Sequence, residues 1–399
     1  MKFLLLTITI VVLQVSLFAQ PGFVANYDES KVPPYELPDV LKTAGNKMIT
    51  TKTEWEKTRR PEIMRLFADN VYGQSPKQFK SIKYTVTNTD EQALGGRATL
   101  KQVLVEVFNN NESVRIHLVL FVPNQRSGKA PAFLLINNRP RTNTDPTRET
   151  KSEFWPVEMA IDSGYAMAAF HVGDLAPDNK DSFANAAMRL FPELLEAPNG
   201  MRAIGAWAWG ASRVLDYLET DKDIDAKKVA VVGHSRGGKA SLWAAAQDQR
   251  FAICVTNNSG NTGAALSKRI YGETIGRINT SFPHWFTTNY KKYNENEAAL
   301  PVDQHMLQAA IAPRPLYSTN ASEDLWADPT GTYLALQKAA PVYSLYGIKT
   351  NLPENPPAIN DAIIATQTGY HNREGKHDMT SFDWNRFIRF AGYHYANKR

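Results

Sequence analysis

Residues 227–243 contain a β-branched run that leads directly into a glycine-flanked serine. Residues 229–232 predict a buried parallel strand, and residues 239–247 have the composition of a helix. Between them lies Gly233-His234-Ser235-Arg236-Gly237, a G-x-S-x-G pattern. Its glycines leave room where the helix crosses the strand, and the helix N-terminus directs N–H groups toward an oxyanion. The sequence therefore predicts a nucleophile elbow with Ser235 as the nucleophile.

The first 19 residues have the pattern of a secretory signal peptide. Lys2 precedes an apolar segment over residues 3–13, and Ala19 is a small residue near the expected cleavage point. A retained membrane anchor is the alternative interpretation. We expect cleavage after Ala19, a mature chain of residues 20–399 forming one domain, and a periplasmic or secreted protein. Further along the chain, no run is apolar for long enough to span a bilayer, so we expect no membrane association after cleavage.

Composition excludes several other classes of protein. The 399 residues are 43% hydrophobic and 21% charged, as in ordinary globular proteins. The net charge of +5 is spread along the chain without a Lys/Arg block, so we expect no nucleic-acid partner. Cys254 is the only cysteine, so the chain cannot form an internal disulfide, and we expect this thiol to be a buried small hydrophobe.

The order of predicted elements indicates an α/β-hydrolase fold, a three-layer sandwich around a mostly parallel sheet. An amphipathic helix is predicted between residues 55 and 72, and alternating segments between residues 81 and 123 predict antiparallel strands. Apolar strands near residues 130–136, 164–170, 229–232 and 251–256 then alternate with helical segments. A proline-rich strap over residues 21–50 and a C-terminal helix from about residue 380 complete the prediction.

A serine nucleophile needs a histidine base and an orienting carboxylate, which follow it in that order in this fold. Three histidines come late enough. We expect His394 on the surface at the end of the last helix, and His371 and His377 in the loop before it, with His377 favoured. Glu323 and Asp324 both follow a late strand, and the sequence alone barely separates them. The third carboxylate there, on Asp328, is predicted to cap the next helix, which begins near Pro329.

The elbow also resembles the G-C-S-R-x-G-K signature of glucuronoyl esterases, carbohydrate esterase family 15. The chain as a whole resembles the bacterial members of this family. The resemblance covers nearly all of the mature chain and extends to segments at residues 258–260, 263–269, 323–329 and 375–378. It implies a serine esterase that needs no metal or cofactor. The implied substrates are esters between the 4-O-methyl-glucuronic acid of glucuronoxylan and lignin alcohols, and we expect a monomer.

The resemblance also implies roles for individual residues. Arg236 would contribute its side chain to the oxyanion site. Lys239, Glu273 and Trp326 would bind the sugar ring. The alternative interpretations are an ion pair for Arg236, a solvated helix position for Lys239 and a core side chain for Trp326.

Two features differ from fungal members of this family, a disulfide and the position of the catalytic acid. The cysteines that they place before the serine and beside the histidine are His234 and Asp378 here, so the disulfide is absent. Their catalytic glutamate corresponds to Asn258, so the acid must come from the late strand. Asp324 fits that spacing best, and Glu323 is the reserve acid.

Two other functions compete with the glucuronoyl esterase. An acetyl-xylan or general carbohydrate esterase would use the same fold and the same serine. A non-catalytic sugar-binding protein would retain the elbow only as a scaffold. The order of serine, acid and histidine along the chain argues against the second.

Overall fold

A ten-stranded mixed sheet forms the centre of the computed structural model, which describes residues 24–396. The predicted signal peptide over residues 1–19 lies outside the described residues. The strands are β1 (Ser81–Ala93), β2 (Ala98–Asn109), β3 (Glu112–Pro123), β4 (Ala130–Asn137), β5 (Ala166–His171), β6 (Ile224–His234), β7 (Ile253–Asn257), β8 (Leu316–Ala321), β9 (Ala362–Ile363) and β10 (Thr368–Arg373).

The strand order across the sheet is β1-β2-β3-β5-β4-β6-β7-β8-β10-β9. The first three strands and the β3–β5 and β9–β10 contacts are antiparallel. The central pairs from β5 to β10 are parallel, and β6 lies between β4 and β7. The carboxyl end of β6 therefore opens near the middle of the sheet, at the edge where ligands bind in open α/β sheets.

Ten α-helices are described, several of them short. They are α1 (Lys52–Glu54), α2 (Arg60–Phe67), α3 (Val157–Asp162), α4 (Pro192–Glu196), α5 (Ala203–Thr220), α6 (Arg236–Gln247), α7 (Ile275–Ser281), α8 (Gln304–Ala309), α9 (Pro329–Ser344) and α10 (Ser381–Ala396). Two π-helical turns, Trp55–Arg59 and Ala68–Tyr72, flank α2 and complete the predicted amphipathic segment. None of the helices in the described chain is long and apolar enough to cross a membrane.

Alternate residues of the central strands face two separate hydrophobic cores, one on each side of the sheet. Val229 and Val231 of β6 belong to the larger core with helices α5 and α6, while Ala230 and Val232 belong to the core under α10. This alternation follows from the two-residue period of a strand, and burial on both faces explains the continuous apolar run. The three-layer α/β-hydrolase prediction is confirmed.

Two of the three late histidines lie elsewhere than predicted. His371 belongs to strand β10 and is fully buried, so its assignment to a loop is wrong. The segment that contains it, Thr-Gly-Tyr-His-Asn-Arg, is too polar to predict a central strand, yet it pairs in parallel with β8. The surface prediction for His394 is also wrong, since this side chain is buried and its Nε2 lies 3.0 Å from the carbonyl oxygen of Thr366.

Residues 24–51, which precede α1, follow the body of the protein without regular sheet pairing, as their prolines predict. The carboxylate of Glu29 pairs with Arg269, and the carbonyl oxygens of Pro38 and Val40 contact His305 and Arg59. Backbone that has no strand partner thus satisfies its carbonyl groups through side chains of the body.

Candidate active site

Ser235 occupies a sharp turn between β6 and α6, and its backbone has the positive φ of 55° that such an elbow requires. A Cβ atom on Gly233 would lie only 1.9 Å from the carbonyl oxygen of Gly237, so a side chain there would clash with α6. Within the described chain no side chain caps the N-terminus of α6. Its first N–H groups therefore remain available to an anion at the turn.

His377 and Asp324 form the pair that the sequence favoured. The Nδ1 atom of His377 lies 2.5 Å from Oδ2 of Asp324, and the carboxylate is 4% exposed while the imidazole is 38% exposed. Asp324 follows β8, and His377 lies in the loop between β10 and α10. The other late carboxylate, on Glu323, is exposed to solvent.

Arg236 follows the serine directly and faces the same cavity. Its Nε lies 2.5 Å from Oδ2 of Asp178, and its guanidinium stacks 6.0 Å from the ring of Trp285. The other carboxylate oxygen of Asp178 accepts hydrogen bonds from the Trp285 indole at 2.7 Å and from Nε2 of His284 at 3.0 Å. Burial acts to raise the pKa of Asp178, but the contacts with His284 and Arg236 outweigh it and lower the pKa. The alternative interpretation of Arg236, an ion pair, is therefore confirmed, and the pair with Asp178 holds the cation beside Ser235.

Lys239 lies one turn further along α6 and is buried, so its interpretation as a solvated helix residue is wrong. Its Nζ atom lies 2.7 Å from Oε2 of Glu273 and also donates to the carbonyl oxygen of Asn261. Burial lowers the pKa of Lys239, and the Glu273 carboxylate opposes that effect. Trp326 is half-buried and lines the same cavity. These three predicted sugar-binding side chains thus lie together at one cavity.

A buried polar network lies beneath the histidine. The ring of His234 packs against that of His377 with centroids 4.6 Å apart, and its Nδ1 lies 2.6 Å from Oδ1 of Asn257. The amide nitrogen of Asn257 donates to Asp383, which also lies 2.9 Å from Nε2 of His371. His371 therefore belongs to the support of the site and not to its surface.

The two positions where fungal family members carry cysteines lie close to one arginine. Arg139 lies 3.3 Å from His234 and 3.3 Å from Asp378, measured from its Nη2. The amide of Asn258, at the position of the fungal glutamate, donates to the main-chain oxygen of Asp378 at 3.2 Å.

Several residues of this site were missed by sequence reasoning. Asp178, His284 and Asp383 have no motif that distinguishes them from ordinary polar residues. One signal was present for Asp178, because it follows β5 at the carboxyl edge of the sheet, where functional loops collect. His284 lies in an aromatic cluster that the sequence could assign either to the core or to a lid.

The predicted site residues surround one cavity of about 320 Å³. Its lining includes Ser235, Arg236, Lys239, Asn258, Glu273, Phe282, Trp285, Asp324, Trp326 and His377. A larger cavity of about 610 Å³, near Arg65 and Trp209, contains none of these groups. Within residues 24–396, no group of three or more His, Cys, Asp or Glu side chains is arranged to hold a metal ion.

The fold and the elbow define an α/β-hydrolase. The family model for fungal glucuronyl esterases matches residues 105–347. The chain belongs to this family, carbohydrate esterase family 15.

Related proteins of known name and structure match most of the chain. The carbohydrate esterase MZ0003 of an unknown prokaryotic organism is 40% identical, over 94% of this chain and 93% of that one. The 4-O-methyl-glucuronoyl methylesterase 1 of Wolfiporia cocos is 28% identical, over 83% of this chain and 76% of that one. A promiscuous esterase of the same family from a marine bacterial metagenome has a TM-score of 0.85 at 38% identity, covering 93% of this chain and 100% of that one. A glucuronoyl esterase from Solibacter usitatus has a TM-score of 0.86 at 38% identity, covering 92% of this chain and 100% of that one.

Proposed function

We propose that this protein hydrolyses esters between the 4-O-methyl-glucuronic acid of glucuronoxylan and lignin alcohols through a glucuronoyl-enzyme intermediate. The observation that carries the proposal is the cavity in which Ser235 and the Asp324-paired His377 lie beside the buried Lys239–Glu273 pair. A uronate ester has its carbonyl carbon on the sugar ring. One cavity must therefore contain both the ester-cleaving groups and the groups that bind ring hydroxyls.

In the proposed acylation step, the hydroxyl oxygen of Ser235 attacks the C6 carbonyl carbon while His377 accepts the proton. Asp324 holds the Nδ1–H of the imidazole, which leaves Nε2 free to act as the base. The carbonyl oxygen becomes an oxyanion, which Arg236 and the first N–H groups of α6 stabilise. The C6–O bond to the alcohol then breaks, and His377 returns its proton to the leaving oxygen.

The deacylation step repeats this chemistry with water as the nucleophile. His377 removes a proton from the water as its oxygen attacks C6 of the glucuronoyl-Ser235 ester. The second oxyanion forms at the same place beside Arg236. Its collapse releases glucuronic acid and returns the proton to Ser235, so the cycle needs no other reactant.

The chemistry of the cavity supports the sugar assignment. Lys239 can donate hydrogen bonds to ring hydroxyls, and Glu273 can accept them. Trp326 offers an aromatic face for the apolar side of a pyranose ring. We also propose that residues 1–19 direct export and that the mature domain of residues 20–399 acts as a periplasmic or secreted monomer. Lys2 and the apolar segment that follows it support the export part of this proposal.

The test compares esters that differ in where the carboxyl group lies. The purified protein is assayed with benzyl glucuronate, in which the sugar carries the carboxyl carbon, and with acetylated xylose, in which it does not. We expect kcat/KM to be higher on benzyl glucuronate. Faster turnover of the acetyl ester would instead favour an acetyl-xylan esterase, and xylan binding without turnover of either ester would favour a sugar-binding protein.

A further inference from the structure

Arg139 contacts both chain segments that carry the reacting side chains. Its Nη2 lies 3.3 Å from Nε2 of His234, the residue before Ser235, and 3.3 Å from Oδ1 of Asp378, the residue after His377. We propose that Arg139 is a positioning residue. It links the turn at Ser235 to the histidine loop, which runs from β10 to α10 and contains His377, and so sets the distance between Ser235 and His377. It lies outside the cavity lining, and its proposed effect is exerted through these two neighbours.

The hydrogen-bond pattern shows why His234 can accept from an arginine. The amide nitrogen of Asn257 donates to the Thr319 hydroxyl at 2.8 Å and to the Asp383 carboxylate at 3.1 Å. The amide oxygen of Asn257 must therefore face His234, where it accepts from Nδ1–H. Nε2 of His234 is then the unprotonated nitrogen, and it is the atom that Arg139 approaches. Burial lowers the pKa of His234, which agrees with a neutral ring.

The surrounding residues hold the arginine side chain in this place. The backbone N–H of Arg139 donates to Oδ1 of Asn137 at the end of β4, at 2.9 Å. Its guanidinium lies 5.5 Å from the ring centroid of Phe154, and that ring meets His234 edge-on at 5.6 Å. The anchor therefore belongs to β4, which pairs directly with the elbow strand β6.

Other contacts of Asp378 limit how large the effect can be. The main-chain oxygen of Asp378 accepts from Arg373 at 2.8 Å and from Asn258 at 3.2 Å. These two bonds hold the backbone of the histidine loop in place. Arg139, in contrast, connects the side chain of Asp378 to the elbow. Because the Arg139–Asp378 ion pair is partly exposed, at 37% and 54%, its direct contribution to the free energy of unfolding is small. Loss of Arg139 should therefore impair positioning without unfolding the protein.

The experiment measures kcat and KM on benzyl glucuronate for Arg139→Ala, Asp378→Ala and the double variant. Since a displacement of about 1 Å can cost about a hundredfold in rate, we expect each single variant to lower kcat about tenfold to a hundredfold while KM changes little. If the two residues act through one link, the double variant loses no more than either single variant. Arg139→Lys, which keeps the charge without the guanidinium fork, should give an intermediate kcat.

Arg97→Ala is the matched control, because Arg97 also forms an exposed ion pair, with Asp162, and neither residue lines the cavity. It should leave kcat unchanged. The proposal is overturned if Arg139→Ala leaves kcat unchanged, if only KM rises, or if the losses in kcat multiply in the double variant. Thermal melting shows whether each variant is folded. If Asp378→Ala does not fold, Asp378→Asn replaces it, and if Arg139→Ala does not fold, Arg139→Lys replaces it.

This inference depends on the proposed function, in which Ser235 and His377 are the reacting residues. The parent protein and Ser235→Ala are therefore assayed in the same series. Turnover by the parent that Ser235→Ala abolishes supports the proposed function, whatever the result for Arg139. An inactive parent overturns the proposed function instead, and that outcome is distinct from normal activity in Arg139→Ala.

Discussion

Nδ1 of His377 lies 2.5 Å from Oδ2 of Asp324, although the two residues are on different loops and 53 positions apart in the chain. The carboxylate is buried and the imidazole is partly exposed toward the cavity. A buried carboxylate at Nδ1 fixes the tautomer in which Nε2 can accept a proton. The neighbouring carboxylate on Glu323 has the same chemistry but faces solvent.

We expect Asp324→Asn to lower kcat on benzyl glucuronate by about 10³- to 10⁴-fold, because an amide can hold the wrong tautomer of His377. Glu323→Gln is the matched control and should leave kcat unchanged. Steady-state rates of the two purified variants make the comparison. A large loss in Glu323→Gln with normal activity in Asp324→Asn would move the acid to the reserve position.

Arg236 is expected to act on the oxyanion. Its replacement by alanine should lower kcat by about 10²- to 10³-fold, which is the usual effect of losing one oxyanion donor. Asp178→Asn should lower kcat less, because it releases the guanidinium without removing it. Rate measurements at saturating substrate check both expectations. Unchanged kcat in Arg236→Ala would restrict this side chain to its structural ion pair with Asp178.

The buried pair of Lys239 and Glu273 should affect stability and binding differently. Glu273→Ala leaves a buried ammonium without its counter-charge, so we expect the free energy of unfolding to fall by about 3–5 kcal/mol. The double variant Lys239→Met with Glu273→Leu removes both charges and should restore most of that loss. It should still raise KM for benzyl glucuronate, since the sugar loses its donors and acceptors. Urea unfolding and initial rates separate the two effects, and a normal KM would argue against a sugar-binding role.

Stability should depend on pH through the buried His371. Burial lowers the pKa of His371 in the folded protein. At acidic pH the unfolded chain therefore binds a proton at this residue more tightly than the folded chain does. The stabilisation is therefore present above the unfolded pKa of about 6.5 and is lost as the pH falls below it. His371→Gln can still donate to Asp383 but does not titrate. Between pH 7 and 5.5, we expect the parent to lose up to about 1 kcal/mol more free energy of unfolding than this variant. Urea titrations at pH 7 and 5.5 measure this difference. If the parent and His371→Gln lost the same free energy of unfolding between these pH values, the prediction would be wrong.

The sequence predicted the elements whose apolar pattern is local. The run at residues 229–232 and the glycines around Ser235 carry their own signals, because strand burial and a tight turn each restrict the residues in place. The capping carboxylate on Asp328 was likewise predicted correctly, and its Oδ1 accepts from the N–H of Gly331 at 2.8 Å. The lone thiol of Cys254 is buried as expected, and burial raises its pKa to about 12.

The parts of the structure that depend on distant contacts were not predictable. Strand β10 consists largely of polar residues, and two of its buried side chains, His371 and Arg373, contact Asp383 of α10. The partners of Arg236 come from residues 178 and 285, which no spacing relates to the elbow. Arg139 follows β4, and no motif in the sequence distinguishes it from other arginines. Such pairings arise from the packing of loops at one edge of the sheet, which a single sequence does not reveal.

Hydrolysis of benzyl glucuronate by the purified protein, measured beside Ser235→Ala, tests whether the elbow serine is the nucleophile. We expect steady turnover by the parent. We also expect a loss of at least about 10⁴-fold in kcat for the variant, because the covalent intermediate cannot form without the hydroxyl. Full activity in Ser235→Ala would show that a group other than the elbow serine cleaves the ester.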